Sequence, residues 1–176
     1  MSFTPPSAGV LSRREKQDLL RKVLAEKMSR TRTAPASFAQ ERLWFLDRLQ
    51  PGSPFYNVPT ALRLTGALAP DALERALGEV VRRHEVLRTT FREVDGAPVQ
   101  VIAPFGGFRL PVDDLSALGQ EEREREVARR VTDDTARPFD LAAGPLFRAA
   151  LLRLGAEEHV LLVCMHHIVT DGWSMD

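Results

Sequence analysis

The sequence predicts an α+β fold, a mixed or antiparallel sheet flanked by helices. Segments with helical spacing of apolar residues are interspersed with segments of strand spacing. Two pairs of strand-like segments are joined by turns short enough for hairpins, at Asp95-Gly96 and at Gly155-Ala156-Glu157-Glu158. The chain has no internal repeat.

Taken in order, residues 1–10 are rich in Pro, Ser and Gly and are expected to be disordered. Leu11-Ser12-Arg13-Arg14-Glu15 places a hydrophobic residue before a serine and a glutamate three positions after it, the signature of a capping box. The helix that follows carries Leu19, Leu20, Val23, Leu24 and Met28 on one stripe. Residues 29–36 read as a polar, basic linker punctuated by Pro35, so residues 11–36 form an amphipathic helix plus linker. Two readings of that helix stay open: its stripe packs on its own domain, or it docks an upstream protein.

The globular part opens at Ser37, with Gln40 three positions on as a second capping box. Its helix runs to Leu49 and is stopped by Pro51-Gly52-Ser53-Pro54. Thr60 to Thr65 alternates, with Leu62 and Leu64 on one face, as a half-buried strand does. Ala69-Pro70-Asp71 opens a helix whose face is Leu73, Ala76, Leu77, Val80, Val81 and His84. Asp95-Gly96, between Phe91-Arg92-Glu93-Val94 and Pro98-Val99-Gln100-Val101-Ile102, suits a turn that needs positive φ. Residues 110–115 read as a short extended segment. Residues 121–137 form a charged helix with a thin apolar edge at Val127, Ala128 and Val131, and its charge run is a solvated face. Residues 147–154 and 159–165 are the two strands of the last hairpin.

Bulk properties exclude several classes. With 176 residues, 44% of them hydrophobic, the chain can bury one core. Formal net charge is +0 from 24 basic and 24 acidic residues, so no overall basic field exists for nucleic acid or anionic lipid. The single cysteine, Cys164, lies in an apolar run and reads as a small buried hydrophobe, with no intrachain disulfide available. No apolar run reaches the ~18 residues of a membrane span, and the N-terminus has no signal pattern, so a cytoplasmic protein is expected.

The chemistry gathers in Met165-His166-His167-Ile168-Val169-Thr170-Asp171-Gly172-Trp173-Ser174. Successive residues of a strand point to opposite faces, so one imidazole should enter the core and the other a pocket. A neutral imidazole near pH 7 can take a proton from an amine or thiol. Asp171 can hold the shape of the turn, and Gly172 permits close backbone approach. No zinc site is expected, because adjacent histidines diverge and a third ligand is missing. Ser174 lacks a Gly-x-Ser-x-Gly elbow and reads as a helix cap, and Trp173 as a pocket wall. A second constellation, Arg82-Arg83-His84-Glu85-Val86-Leu87-Arg88-Thr89-Thr90-Phe91, puts Arg88 among apolar neighbours. A guanidinium there requires a carboxylate, and Asp171 is the expected partner. No glycine-rich phosphate loop is present, since Gly106-Gly107 is an isolated pair.

Three stretches together resemble the condensation domains of nonribosomal peptide synthetases. Ser37-x-Ala39-Gln40-x-Arg42-Leu43-Trp44-x-Leu46 is similar to the family's first motif. Arg83-His84-Glu85-x-Leu87-Arg88-Thr89-x-Phe91 is similar to its second, and Met165-His166-His167-x-x-x-Asp171-Gly172-Trp173-Ser174 to its third, in the same order. The resemblance implies one lobe of a chloramphenicol-acetyltransferase-like fold, in which two lobes form a V with a tunnel between them. It implies His167 as the active-site histidine of amide-bond formation. His166 and Asp171 become structural supports, with Arg88 near Asp171; Gly172 brings backbone near the reacting centre, and Trp173 and Ser174 line the pocket. Substrates would arrive as phosphopantetheine thioesters on donor and acceptor carrier proteins, with no cofactor or metal held by the chain itself.

The departure from the family is length, since everything after the third motif is missing. Residues 37–176 therefore read as the N-terminal lobe alone, truncated after the active-site motif. Its partners would be the missing C-terminal lobe, the two carrier proteins and, through residues 11–28, an upstream synthetase subunit; neither nucleic acid nor membrane is expected. Gly172-Trp173 argues against an epimerisation domain, and the histidines exclude a heterocyclising variant. Val169-Thr170 resembles domains that accept an L-configured donor. The alternatives are a docking module without catalysis and another acyltransferase of the same superfold.

Overall fold

The computed structural model describes residues 12–28 and 30–171. The stretch expected to be disordered and the expected site residues Gly172, Trp173 and Ser174 lie outside the described residues. The chain divides into two units, residues 1–30 and residues 31–176.

The first unit holds α1 (Arg13–Met28). Its start follows the capping box: the Glu15 N–H donates to Ser12 Oγ at 3.3 Å, and the Ser12 N–H donates to the Glu15 carboxylate at 2.8 Å. Leu19 is exposed. The side chains of Leu20, Val23, Leu24 and Met28, the rest of the expected stripe, lie outside the described residues.

The second unit is built from β1 (Arg32–Pro35), α2 (Phe38–Leu49), β2 (Asn57–Thr65), α3 (Pro70–Arg83), β3 (Thr89–Val94), β4 (Ala97–Ile102), β5 (Val112–Asp114), α4 (Gln120–Ala136), β6 (Phe147–Arg153) and β7 (Glu158–His166). Short 3-10 turns follow α3, at Glu85–Arg88, and β7, at His167–Val169. The strands form two sheets, ordered β1-β4-β3 and β2-β7-β6-β5. The second is mixed, since β5 pairs with β6 in parallel and the other pairs are antiparallel. An α+β fold with sheets flanked by helices is what the sequence predicts.

Local chemistry explains the elements. The Ser37 hydroxyl accepts the Gln40 N–H at 3.3 Å and the Gln40 side chain accepts the Ser37 N–H at 2.9 Å, which starts α2. Asp95 and Gly96 both take positive φ, 52° and 80°, and close the β3–β4 hairpin. β7 is buried along almost its whole length because β2 and β6 pair with its two edges and apolar clusters cover both its faces. On one side Val160 and Leu162 pack with Leu115, Val127 and Leu152; on the other Leu161 packs with Leu110, Leu151, Leu73 and Leu77. Each such side chain removed from water contributes about 1.5–3 kcal/mol. The cost of burying the terminal histidine is met by this central strand.

One expectation is corrected. The stretch 29–36 is not all linker: Arg32–Pro35 is an edge strand, paired antiparallel from Arg32↔Ile102 to Pro35↔Val99. An edge strand needs only one row of backbone groups, so polar side chains and a proline are tolerated and no apolar alternation marks it. For the same reason β2 begins at Asn57, before Pro59, and not at Thr60. No helix among the described residues is long and apolar enough to cross a membrane.

Candidate active site

β7 carries the histidine pair to its end. His166 sits opposite Asn57 in the register and donates its N–H to the Leu146 carbonyl at 3.0 Å. Only 2% of its surface is exposed. Its ring lies 6.1 Å from Tyr56 and 6.2 Å, edge-on, from Phe139. Nδ1 accepts the Ile168 N–H at 3.1 Å and so caps the turn at His167–Val169. A ring nitrogen that accepts from an amide carries no proton, which leaves the hydrogen on Nε2. Burial first, and the neighbouring His167 second, push the His166 pKa down to about 4. His166 is a neutral structural acceptor.

His167 faces the other way and is exposed. Its backbone N–H donates to the Tyr56 carbonyl at 2.8 Å, and its Nδ1 lies 2.7 Å from the Thr170 carbonyl. A carbonyl oxygen only accepts, so Nδ1 carries a proton, and in the neutral ring Nε2 presents a lone pair. A neutral imidazole held in this tautomer by a backbone carbonyl has its Nε2 lone pair arranged for general-base chemistry. The divergence expected of adjacent strand residues is realised, with His166 in the core and His167 outside it.

Asp171 is the last described residue and is exposed. The bonds described in the turn come from the imidazoles, Tyr56 and the Thr170 N–H, which donates to the His167 carbonyl at 3.4 Å. The expected pairing of Arg88 with Asp171 is corrected. Arg88, 9% exposed in its side chain, donates to the Ala103 carbonyl and pairs with Glu85 at 3.3 Å. Glu85 also binds Arg32 of β1. Arg88 is the last residue of a 3-10 turn that begins at Glu85, and residues three apart in such a turn lie over one another. Its carboxylate is thus local, whereas the sequence suggested a distant one.

Gln40, Tyr56, Phe139 and Thr170 were not anticipated as parts of this site. Tyr56 and Thr170 act through backbone carbonyls, which leave no sequence signal. Gln40 donates from Nε2 to the Ile168 carbonyl at 3.4 Å, a contact its capping position conceals.

The three motifs meet around one core. Ile168 and Val169 of the turn are buried with Val81, Leu87 and Phe91, and Leu43 and Trp44 of α2 pack against the same cluster. Over residues 30–176 the sequence matches the Condensation domain family. The chain belongs to that family.

A linear gramicidin synthase from Brevibacillus parabrevis is 52% identical over 141 residues, covering 80% of this chain and 2% of that protein. Phosphinothricin tripeptide synthetase PhsC of Streptomyces viridochromogenes is 48% identical over 141 residues, covering 80% of this chain and 13% of its own. Among solved structures, the first condensation domain of the calcium-dependent antibiotic synthetase, in complex with a substrate analogue, superposes with a TM-score of 0.73 at 29% identity, covering 82% of this chain and 36% of that one. The starter condensation domain of rhizomide synthetase gives 0.70 at 31% identity, covering 81% and 35%. The chain therefore spans a small part of the synthetases and about a third of the chains in the solved condensation-domain structures. In this member of the family the histidine motif begins at the end of β7 and passes into the 3-10 turn at His167–Val169, the second motif lies from the end of α3 to the start of β3, and the first lies on α2.

Proposed function

We propose that this chain is the N-terminal lobe of a condensation domain that forms an amide bond between two carrier-bound aminoacyl or peptidyl thioesters in nonribosomal peptide synthesis. The observation that supports it is His167: exposed at the end of a buried strand, with a proton fixed on Nδ1 by Thr170 and Nε2 without a hydrogen-bond partner among the described residues. The acceptor amine attacks the donor thioester carbonyl, and Nε2 takes the proton that the nitrogen must lose. The tetrahedral intermediate then expels the pantetheine sulfur, which leaves as the thiol once that proton is returned, and the amide remains. Both substrates bring their phosphopantetheine arms on carrier proteins, so the step requires no cofactor held by this chain. His166 supports the turn by accepting the Ile168 N–H, and Asp171, Gly172, Trp173 and Ser174 continue it in sequence. A C-terminal lobe supplies the opposite wall of the tunnel, and the setting is cytoplasmic.

A second reading of α1 rests on the exposed Leu19: residues 11–28 dock an upstream synthetase subunit. The test of the main reading is amide formation by the intact synthetase loaded on both carriers, followed by mass spectrometry. His167→Ala should lower the rate by about 10²–10⁴-fold without loss of fold. Full activity in that variant, or amide formation by this chain without a second lobe, would overturn the proposal.

A further inference from the structure

Gln40 satisfies a capping box that a glutamate would satisfy equally well, yet it does something a glutamate could not. Its Oε1 is taken by the Ser37 N–H at 2.9 Å, which fixes the orientation of the amide. Its Nε2 then donates to two acceptors at 3.4 Å each: the carbonyl of Ile168, directly after His167, and Oε1 of Gln100 on β4. Gln100 is oriented in turn, because its own Nε2 donates to the Pro35 carbonyl of β1 at 2.8 Å. Every member is set by a backbone group at one end. The chain runs from β1 through β4 and the first turn of α2 to the histidine-bearing turn. Both amides are partly buried, where a hydrogen bond is less diluted by water.

We infer that Gln40 and Gln100 are positioning residues for His167, a relay that locks the Ile168 carbonyl, and so the turn presenting Nε2, to the β1–β4–β3 sheet. The inference rests on the functional reading above for its rate consequence. Its geometric consequence is independent of that reading.

Gln40→Glu separates the two roles of this side chain. A glutamate keeps the acceptor for the Ser37 N–H and adds a negative charge favourable at a helix N-terminus. It also turns a donor into a carboxylate facing the Ile168 carbonyl and Gln100 Oε1, which repels both. If Gln40 only caps α2, the variant matches or exceeds the wild type in Tm and is unchanged elsewhere. If it positions the turn, the ring 15N shifts of His167 move in this chain while Tm holds. In the intact synthetase, with the acceptor on a free carrier protein, kcat then falls at least tenfold and KM stays. Unchanged His167 shifts overturn the inference whether or not the synthetase makes amide. An unchanged kcat, or a change confined to KM, overturns it where the wild type is active. Should Gln40→Glu lower Tm by more than a few degrees, Gln100→Met decides, since it leaves the α2 cap intact: shifted His167 resonances support the relay and unshifted ones refute it. A wild-type synthetase that makes no amide contradicts the functional reading alone.

Discussion

His166 and His167 are adjacent in sequence and hold opposite tautomers. Nδ1 of the first accepts from the Ile168 N–H at 3.1 Å, and Nδ1 of the second donates to the Thr170 carbonyl at 2.7 Å. One backbone turn thus gives two identical side chains opposite proton positions, the difference on which their proposed roles rest. Long-range 1H–15N correlation spectra above pH 7 should show the Nε2–H form for His166 and the Nδ1–H form for His167. Finding the same tautomer in both rings would remove the basis for assigning them different tasks.

His166 also makes stability depend on pH in a defined window. Its folded pKa, about 4, lies below the 6.5 of an unfolded histidine, so between those values the unfolded chain binds the extra proton. The folded state is therefore unaffected by this group above pH 6.5 and loses stability as pH falls towards 4, by roughly 3 kcal/mol in all. Glu79 and Glu126 act in a different window. Their arginine partners hold both pKa values near 2, so their loss comes as pH drops from 4.5 towards that value. Denaturant unfolding between pH 7 and 4.5 should show the first decline, and an NMR titration should keep His166 mostly neutral over that range, with its midpoint near 4. A midpoint near 6.5 for that ring would refute the account.

What could be read beforehand depended on whether the signal was local. The boxes at Ser12/Glu15 and Ser37/Gln40, the Asp95-Gly96 turn and the apolar run from Val160 to Met165 each carry their cause within a few residues. The alternation rule likewise separates buried His166 from exposed His167. Strand Arg32–Pro35 was not legible, because its pairing with β4 lies in backbone groups that any side chains would supply. Nor was the carboxylate of Arg88, where an apolar context called for a partner without saying that the partner was three residues away. The support of the site by Tyr56 and Thr170 runs through carbonyls and was invisible for the same reason.

The Glu85 carboxylate holds two arginines from different elements, Arg88 at 3.3 Å within its own turn and Arg32 on β1. Arg88 is the costly one, because its side chain is 9% exposed and its Nε has no partner among the described residues. Replacing the carboxylate by a neutral amide leaves a nearly buried cation without the Glu85 counter-charge, held by neutral acceptors such as the Ala103 carbonyl. Glu85→Gln should therefore lower stability by about 1–3 kcal/mol. Arg32→Gln, which breaks only the exposed half, should cost less than about 1 kcal/mol. Equal losses by denaturant unfolding would show that Arg88 does not depend on Glu85.

Gly144 stands two residues before Leu146, whose carbonyl receives the His166 N–H at 3.0 Å, so its backbone helps set the height of the histidine strand. Its φ is +61°, and an added Cβ would stand 2.7 Å from the Thr90 Cγ2 methyl on β3. Gly66 offers a control, with φ +101° and nothing within 4 Å of an added Cβ. Gly66→Ala then reports left-handed backbone strain without a clash, about 1–2 kcal/mol. Gly144→Ala adds the collision with a β-branched side chain that has little rotamer freedom, and should cost at least about 1 kcal/mol more. Thr90→Ser deletes the methyl, so in the double variant Gly144→Ala, Thr90→Ser the excess should disappear while the strain stays. Denaturant unfolding of the four proteins in that cycle reads the coupling directly. A coupling of zero would mean that the strand accommodates the new methyl by shifting. The His166 N–H to Leu146 bond should then be what gives, seen as faster amide exchange at His166.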